Sequence, residues 1–173
     1  MVEVNNQKLK EFFAVFYDEY SDAIFRYCRF QTSNREKALD ITQDTFIKTW
    51  EYLSSGKKVE NIRAFLYKVA RNLIIDYRRK KKSYSLEEMM NEGFDLKSEE
   101  GGLATHESIF EGNIAIETLE RLDEKYREVL MLRYVEDMSV KDIAKIMGRT
   151  ENNISVRIHR GLEKLKILLE ENK

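Results

Sequence analysis

The 173-residue sequence contains no proline, one cysteine and two histidines. Proline is the residue that most strongly interrupts helices, so its absence permits long helices throughout the chain. A single cysteine, Cys28, excludes an internal disulfide and a cysteine metal cluster, and its aromatic neighbours predict a buried position. No apolar run approaches the ~20 residues that span a bilayer, and the first residues lack the pattern of a secretory signal. We therefore expect a cytoplasmic protein with no stable membrane insertion.

Enzyme motifs are also missing. The sequence has no Gly-rich phosphate loop, no GxSxG and no HExxH, and only His106 and His159 offer imidazoles. Paired carboxylates such as Glu87 and Glu88 lie in polar surroundings that give no sign of a cavity. The sequence therefore predicts no catalytic activity, no metal site and no cofactor.

What is present predicts an all-α protein of two small domains. Strand-like alternation is hard to find, and the Leu, Glu, Lys, Arg and Ala content favours helices. Residues 1–82 hold 17 Lys and Arg against 11 Asp and Glu, residues 83–113 hold 1 against 8, and residues 114–173 hold 12 against 12. This segregation predicts helical domains at 1–82 and 114–173, joined by a flexible acidic linker at 83–113.

Residues 139–166 predict a helix-turn-helix. Ser139 and Thr150 are suited to cap two helices, and Gly148 is suited to the left-handed residue that ends the first. The second helix has a predicted core stripe of apolar residues at three- or four-residue steps: Ile154, Ile158, Leu162, Leu165 and Leu169. A cationic second helix after a tight turn suits a DNA major groove, although a basic face is more often merely solvated.

The first domain predicts three or four helices. An aromatic stripe from Leu9 to Cys28 is expected to pack in the core, and a second helix follows from about Asn34, a possible cap, to Leu53. Its expected inward positions are Ala38, Ile41, Thr45, Phe46, Thr49 and Trp50. A third helix is expected from about Ile62 to the basic cluster at 78–82. Five consecutive cations exceed what a helix dipole requires, so phosphate contact is predicted.

Three segments together carry a family resemblance. They are DITQDTF at 40–46, NIRAFLYKVARNLIIDYRRKKK at 61–82 and the stretch from Arg121 to Lys166. Their order and spacing resemble a bacterial RNA polymerase sigma factor of the extracytoplasmic-function class, in the sigma-70 family. The resemblance implies a region 2 helical bundle in the first domain and a region 4 helix-turn-helix in the second.

The resemblance also implies roles for region 2. The core polymerase clamp would be bound by Asp40, Gln43, Asp44 and Phe46. The minus-10 promoter element would be contacted by Lys68, Arg71, Asn72, Arg78 and Arg79, with a base flipped into the loop at 53–61. Candidates for stacking on unpaired bases are Trp50, Tyr52, Tyr67 and Tyr77, with core packing favoured for Trp50 and Tyr67.

For region 4, the resemblance implies binding to the minus-35 element and to the polymerase flap. The matching DNA-facing residues are Ser155, Val156, Arg157, His159, Arg160 and Lys164. Asp123 stands where the family often has proline, and aspartate is also a good helix cap. The acidic linker would thread the polymerase's RNA channel, although acidic polar runs are usually only passive solvated tethers. An anti-sigma factor is an expected partner. The alternative function is a stand-alone helix-turn-helix regulator that acts without polymerase.

Overall fold

The computed structural model describes residues 2–91 and 118–171, and places the side chains of 7–83 and 118–171. Within these ranges the regular structure is helical and no strand occurs, so the predicted all-α class is confirmed. The chain divides into two compact units, Met1–Gly102 and Leu103–Lys173. Most of the acidic linker at 83–113 lies outside the described residues, and the domain boundaries drawn from charge remain a prediction.

The first unit consists of three helices, α1 (Val2–Thr32), α2 (Arg35–Ser54) and α3 (Ile62–Asn91). Ser33, with a φ of 52°, turns the chain between α1 and α2. The predicted cap at Asn34 is confirmed, because its side-chain oxygen accepts a hydrogen bond of 2.9 Å from the Lys37 N–H. The α2 pattern is confirmed as well: five of the six expected inward residues are buried and Trp50 is half-buried.

The aromatic stripe of α1 is buried only in part. Phe16, Ile24, Tyr27 and Cys28 lie in the core, where the Tyr27 ring meets Tyr67 of α3 at 5.2 Å between centroids. Phe12, in contrast, is exposed. A helix packed against two neighbours buries one stripe of its surface, so the apolar residues outside that stripe face solvent.

Helix α3 extends nine residues beyond Lys82, where the sequence predicted its end. The continuation, Ser83–Asn91, contains neither glycine nor proline and includes the strong helix formers Leu86, Glu87 and Glu88. The charge pattern changes at residue 83, but nothing in the local chemistry ends a helix there. The first glycine after the basic cluster is Gly93.

The second unit contains α4 (Glu124–Leu130), which continues into one π-helical turn at Met131–Val135, then α5 (Val140–Met147) and α6 (Glu151–Glu171). Asp123 occupies the N-cap position of α4, but its carboxylate makes no capping hydrogen bond. Its backbone carbonyl instead accepts from the amides of Tyr126 and Arg127, at 2.9 and 3.0 Å. The side-chain capping expected of Asp123 was therefore wrong.

The inner face of α6 matches the predicted stripe only in part, since Leu165 and Leu169 are half-buried. Ile154 and Ile158 are buried, as predicted, but Leu162 is 39% exposed and Gly161 is buried in its place. A Cβ at Gly161 would lie 3.2 Å from the side chain of Leu130 in α4. Because α6 crosses α4 so closely, glycine, which has no side chain, fits best at position 161.

Candidate nucleic-acid and protein interfaces

The helix-turn-helix forms from the residues that predicted it. The Ser139 hydroxyl accepts from the Asp142 amide at 3.0 Å and donates to the Asp142 carboxylate at 2.8 Å, which closes the start of α5. Gly148 ends α5 with a left-handed φ of 61°. The Thr150 hydroxyl then accepts from the Asn153 amide at 3.2 Å and caps α6. These contacts fix the angle at which α6 leaves the turn.

Helix α6 presents the predicted DNA-facing residues on its outer side. Exposed members are Ser155, Val156, His159, Arg160 and Lys164, whereas Arg157 is half-buried. The His159 imidazole lies 3.3 Å from the Glu163 carboxylate, one turn further along the helix. The Lys164 ammonium stands 5.6 Å from the centre of the Tyr126 ring. The cations of this face are Arg157, Arg160 and Lys164, and the Glu163 carboxylate offsets part of their charge.

Arg149 is an exposed cation that the sequence reasoning missed. It lies in the turn between Gly148 and Thr150, and its amide donates to the Ala144 carbonyl at 3.0 Å. A cation at this point lies directly before the start of α6. Its position between the turn residue Gly148 and the helix cap Thr150 could have identified it from the sequence.

The π-helical turn at Met131–Val135 ends in an exposed apolar pair that the sequence did not reveal. The Arg133 guanidinium donates to the Met138 carbonyl at 2.7 Å, and the Met138 amide donates to the Leu132 carbonyl at 3.0 Å. These bonds hold the connection to α5 tightly against α4. Tyr134 and Val135 are left more than half exposed at the end of the turn. Local widening of a helix often marks a functional position.

The outer face of α2 carries three of the four residues predicted to bind polymerase. Asp40, Gln43 and Asp44 are exposed, and the Asp40 carboxylate pairs with the Lys37 ammonium at 3.1 Å. Phe46 is buried instead, with its ring 4.7 Å from that of Tyr17 in α1. Phe46 therefore packs against α1 in the core and is not part of the exposed face of α2.

Two apolar residues that the sequence reasoning did not assign complete this face. Leu39 and Ile47 are 37% and 54% exposed, and they lie four residues before and after Gln43. Residues four apart are neighbours on a helix surface. The α2 surface, defined as Leu39, Asp40, Gln43, Asp44 and Ile47, thus combines carboxylates, an amide and aliphatic groups.

The predicted minus-10 residues of α3 divide between its surface and its packed side. Lys68, Asn72 and Arg79 are exposed, and Arg71 is half-buried. The Arg79 guanidinium pairs with the Asp76 carboxylate at 3.1 Å. Because this pair is exposed, it holds Arg79 only weakly and leaves its charge available.

Arg78 points in a different direction from the rest of the basic cluster. Its Nη2 donates to the Gln31 backbone carbonyl at 2.6 Å and to the Gln31 side-chain oxygen at 2.9 Å. Gln31 lies in the last turn of α1 and is only 7% exposed. The structure therefore brings Lys68, Asn72 and Arg79 to the surface and turns Arg78 towards the bundle.

The aromatic residues near the loop at 55–61 also separate into two groups. Tyr67 is buried, which confirms core packing for that residue, and Trp50 is half-buried with its ring 5.2 Å from Phe13. Tyr52 is half-buried against Phe65 at 4.7 Å, and the Lys57 ammonium stands 4.9 Å from its ring centre. Tyr52 is thus an accessible aromatic ring beside a basic loop.

Among the described residues, no group of three or more His, Cys, Asp or Glu side chains is placed to hold a metal ion. No helix in the described ranges is long and apolar enough to cross a bilayer.

Comparison with known proteins assigns both units. The family description "Sigma-70 region 2" matches residues 16–84, and "Sigma-70, region 4" matches residues 113–165. The chain is 31% identical over 162 residues to the ECF RNA polymerase sigma factor SigW of Bacillus subtilis, covering 89% of this chain and 87% of SigW. It is 30% identical over 156 residues to the B. subtilis RNA polymerase sigma factor SigZ, covering 89% and 85%.

Solved structures show the same fold. The sigma factor RpoE from Bartonella quintana, in complex with the anti-sigma factor NepR, is similar with a TM-score of 0.72 and 23% identity, over 93% of this chain and 98% of that chain. CnrH, in complex with the cytosolic domain of CnrY, has a TM-score of 0.70 and 22% identity, over 99% and 98%.

Proposed function

This chain belongs to the extracytoplasmic-function class of RNA polymerase sigma factors, in the sigma-70 family, and on that premise we propose that it binds core RNA polymerase and directs promoter-specific transcription initiation. The observation that carries the proposal is the coincidence of sequence and structure. A region 2 match falls on the first compact unit and a region 4 match on the second, in that order.

The α2 surface is the proposed contact with the polymerase clamp. Hydrogen-bond acceptors are supplied by Asp40, Gln43 and Asp44. Leu39 and Ile47 supply apolar surface that is removed from water on binding. Such a surface suits a basic amphipathic helix. Phe46 contributes by holding α2 against α1 from within the core.

A second polymerase contact is proposed for region 4. Tyr134 and Val135 offer exposed apolar area at the end of the π-helical turn, and the Arg133 bond to Met138 holds that turn rigid. A rigid aromatic residue is a favourable interface anchor because little side-chain entropy is lost on binding. We assign this pair to the flap contact.

Promoter opening is assigned to the exposed side of α3. Lys68 and Arg79 are cations that can neutralise backbone phosphates, and the Asn72 amide can both donate to and accept from a base edge. Arg71 lies on the same helix. Tyr52 presents a ring face on which an unpaired base can stack once Lys57 moves aside.

Duplex recognition is assigned to α6. Arg157 and Arg160 can grip guanine edges or phosphates, while Ser155, Val156, His159 and Lys164 complete the face towards the minus-35 element. Arg149 adds a cation at the turn that enters this helix. The helix-turn-helix caps at Ser139 and Thr150 fix the direction from which α6 approaches DNA.

The remaining assignments follow from this role. Residues 1–82 and 114–173 serve as regions 2 and 4, and the acidic segment at 83–113 links them. The protein works in the cytoplasm, where its polymerase is, and uses no cofactor or catalytic centre of its own. Regulation by an anti-sigma factor is proposed from family membership.

Run-off transcription in vitro tests the proposal. Core polymerase supplemented with the chain should produce defined transcripts from a subset of genomic fragments, and core polymerase alone should not. A stand-alone regulator would instead bind duplex DNA tightly without core and leave core polymerase unable to initiate. Absence of defined transcripts, together with tight duplex binding by the isolated chain, would replace the sigma assignment by that alternative.

A further inference from the structure

The guanidinium of Arg78 links the C-terminal half of α3 to the end of α1. One nitrogen, Nη2, donates both to the Gln31 backbone carbonyl at 2.6 Å and to the Gln31 side-chain oxygen at 2.9 Å. The two residues are 47 positions apart in the sequence, so this contact spans the fold. It joins the helix proposed to open the promoter to the first helix of the bundle.

Helix chemistry explains why a cation is favoured at this point. The last four carbonyls of a helix lack intrahelical partners, and the C-terminal end carries partial negative charge. At the end of α1 the Arg29 carbonyl accepts from the Ser33 amide at 3.0 Å, while the Gln31 carbonyl accepts from Arg78. Because Gln31 is almost fully buried, loss of the donor would leave polar atoms poorly satisfied.

The position of Arg78 along α3 agrees with this internal role. It follows Tyr67, Ala70 and Ile74 at steps of three and four residues, and all three are buried. Arg78 therefore continues the packed face of the helix, whereas Arg79, one residue later, has a side chain that is 76% exposed. Lys80, Lys81 and Lys82 are exposed as well.

We propose that Arg78 is a positioning residue, which fixes the C-terminal half of α3 against α1 so that the exposed cations of α3 meet the promoter, and that it does not itself contact DNA phosphate. This inference rests on the proposed function for its DNA readout. It replaces the phosphate contact that the sequence predicted for Arg78. The guanidinium holds the two N–H bonds of Nη2 in a fixed plane, whereas a lysine ammonium is more strongly hydrated and sits on a flexible stem, so lysine is not equivalent here.

The experiment compares Arg78→Ala and Arg78→Lys with Arg79→Ala as the matched control. Holoenzyme binding to promoter DNA is measured over a series of salt concentrations, and amide hydrogen exchange at residues 29–33 is measured on the free full-length chain. Loss of one phosphate contact lowers the salt slope by about 0.7 on a single strand and about 0.9 on a duplex. We expect that decrease for Arg79→Ala and an unchanged slope for Arg78→Ala.

Hydrogen exchange supplies the readout that a phosphate contact would not move. Both Arg78 variants should exchange several-fold faster at residues 29–33, and Arg79→Ala should exchange like the wild type. A lower salt slope in Arg78→Ala, or unchanged exchange in both Arg78 variants, would overturn the positioning role. If wild-type holoenzyme bound no promoter, the sigma assignment would fail, and the exchange data would still decide whether Arg78 ties α3 to α1.

Discussion

Gly161 is a residue of the second unit that leaves little room for a side chain. Its position on the inner face of α6 brings the backbone close to Leu130 and Tyr126 of α4. Apolar periodicity alone favours Leu162, since a glycine carries no hydrophobic signal. The packed residue is therefore one that the pattern of the sequence could not identify without the neighbouring helix.

Substitution of Gly161 by valine should destabilise the second unit by roughly 1–3 kcal/mol, the usual cost of overpacking a close contact. A branched side chain would have to displace Leu130 and separate α6 from α4. Leu162→Ala, at the exposed neighbouring position, serves as the control and should cost much less. Urea unfolding followed by circular dichroism measures both; equal stability of the two variants would contradict the close crossing.

Cys28 gives a prediction at the same scale that depends on pH. Burial raises the pKa of its thiol from 9.0 to about 12, although a hydrogen bond with Thr42 acts in the opposite direction. The native thiol should therefore resist iodoacetamide at pH 8, and alkylation should become fast only in guanidinium. Mass spectrometry measures the labelled fraction, with Cys28→Ala as the unlabelled control. Native labelling as fast as that of the unfolded chain would show that the site opens.

The sign of the pH effect on stability follows from the same shift. In the unfolded chain the thiol loses its proton near its ordinary value, while the folded state keeps it until about pH 12. The folded state therefore binds more protons than the unfolded state above about pH 9, and this group's contribution to stability is lost as pH rises through that window.

Among the helices, α6 carries the prediction for duplex recognition. Arg157→Ala and Arg160→Ala should each weaken promoter binding by roughly 1–3 kcal/mol if the side chain makes a bidentate contact with a base. A side chain that touches only phosphate should lower the salt slope and leave sequence preference unchanged. Binding of holoenzyme to wild-type and altered minus-35 elements distinguishes the two cases, and unchanged binding by both variants would remove α6 from the interface.

Helix α2 carries the corresponding prediction for polymerase. Asp40→Ala, Gln43→Ala and Ile47→Ser should each weaken core binding by more than about 1 kcal/mol. The first loses charge pairing, the second hydrogen bonding and the third apolar burial. Asp18→Ala, which removes an exposed carboxylate from α1, is the charge-matched control. Core affinity by fluorescence anisotropy measures the effect. Weakening by Asp18→Ala as large as that by Asp40→Ala would indicate a general charge effect.

The helical elements were largely predictable because their signals are local. Asn34, Ser139, Gly148 and Thr150 act on neighbouring backbone groups, so sequence spacing alone identified the caps and the turn. Positions that depend on a distant helix were not predictable. Arg78 resembled its cationic neighbours in sequence, and only the end of α1 shows that its guanidinium is engaged within the bundle.

The same limit applies to surfaces. Exposed Ile47 and Tyr134 are ordinary apolar residues in the sequence, and their exposure follows from the number of helices that pack around them. The charged members of the candidate sites, such as Asp40, Lys68 and Arg160, were easier to find. Aspartate, lysine and arginine are rarely buried in proteins, so their exposure could be expected. Burial of Phe46 was predicted from the periodicity of α2, but its contact with Tyr17 depends on how α1 lies against α2.

At the scale of the whole molecule, the proposed function divides the work of initiation between the two units. One would use α2 to bind polymerase and α3 to bind the separated strands, and the other would use α6 to bind the duplex. Neither surface alone explains promoter opening. Duplex recognition leaves the two strands paired, and capture of a separated strand has to be directed to one place on the DNA. The combination predicts that DNA melting depends on core polymerase as well as on this chain.

Permanganate reactivity of promoter thymines tests that dependence most directly. A promoter fragment selected by the holoenzyme is incubated with the chain alone, with core polymerase alone and with both. We predict reactive thymines around the minus-10 element only when both are present, and a strong decrease in reactivity for Asn72→Ala at unchanged core affinity. Reactive thymines with the chain alone, or no reactivity when both are present, would contradict the assignment of this protein as a sigma factor.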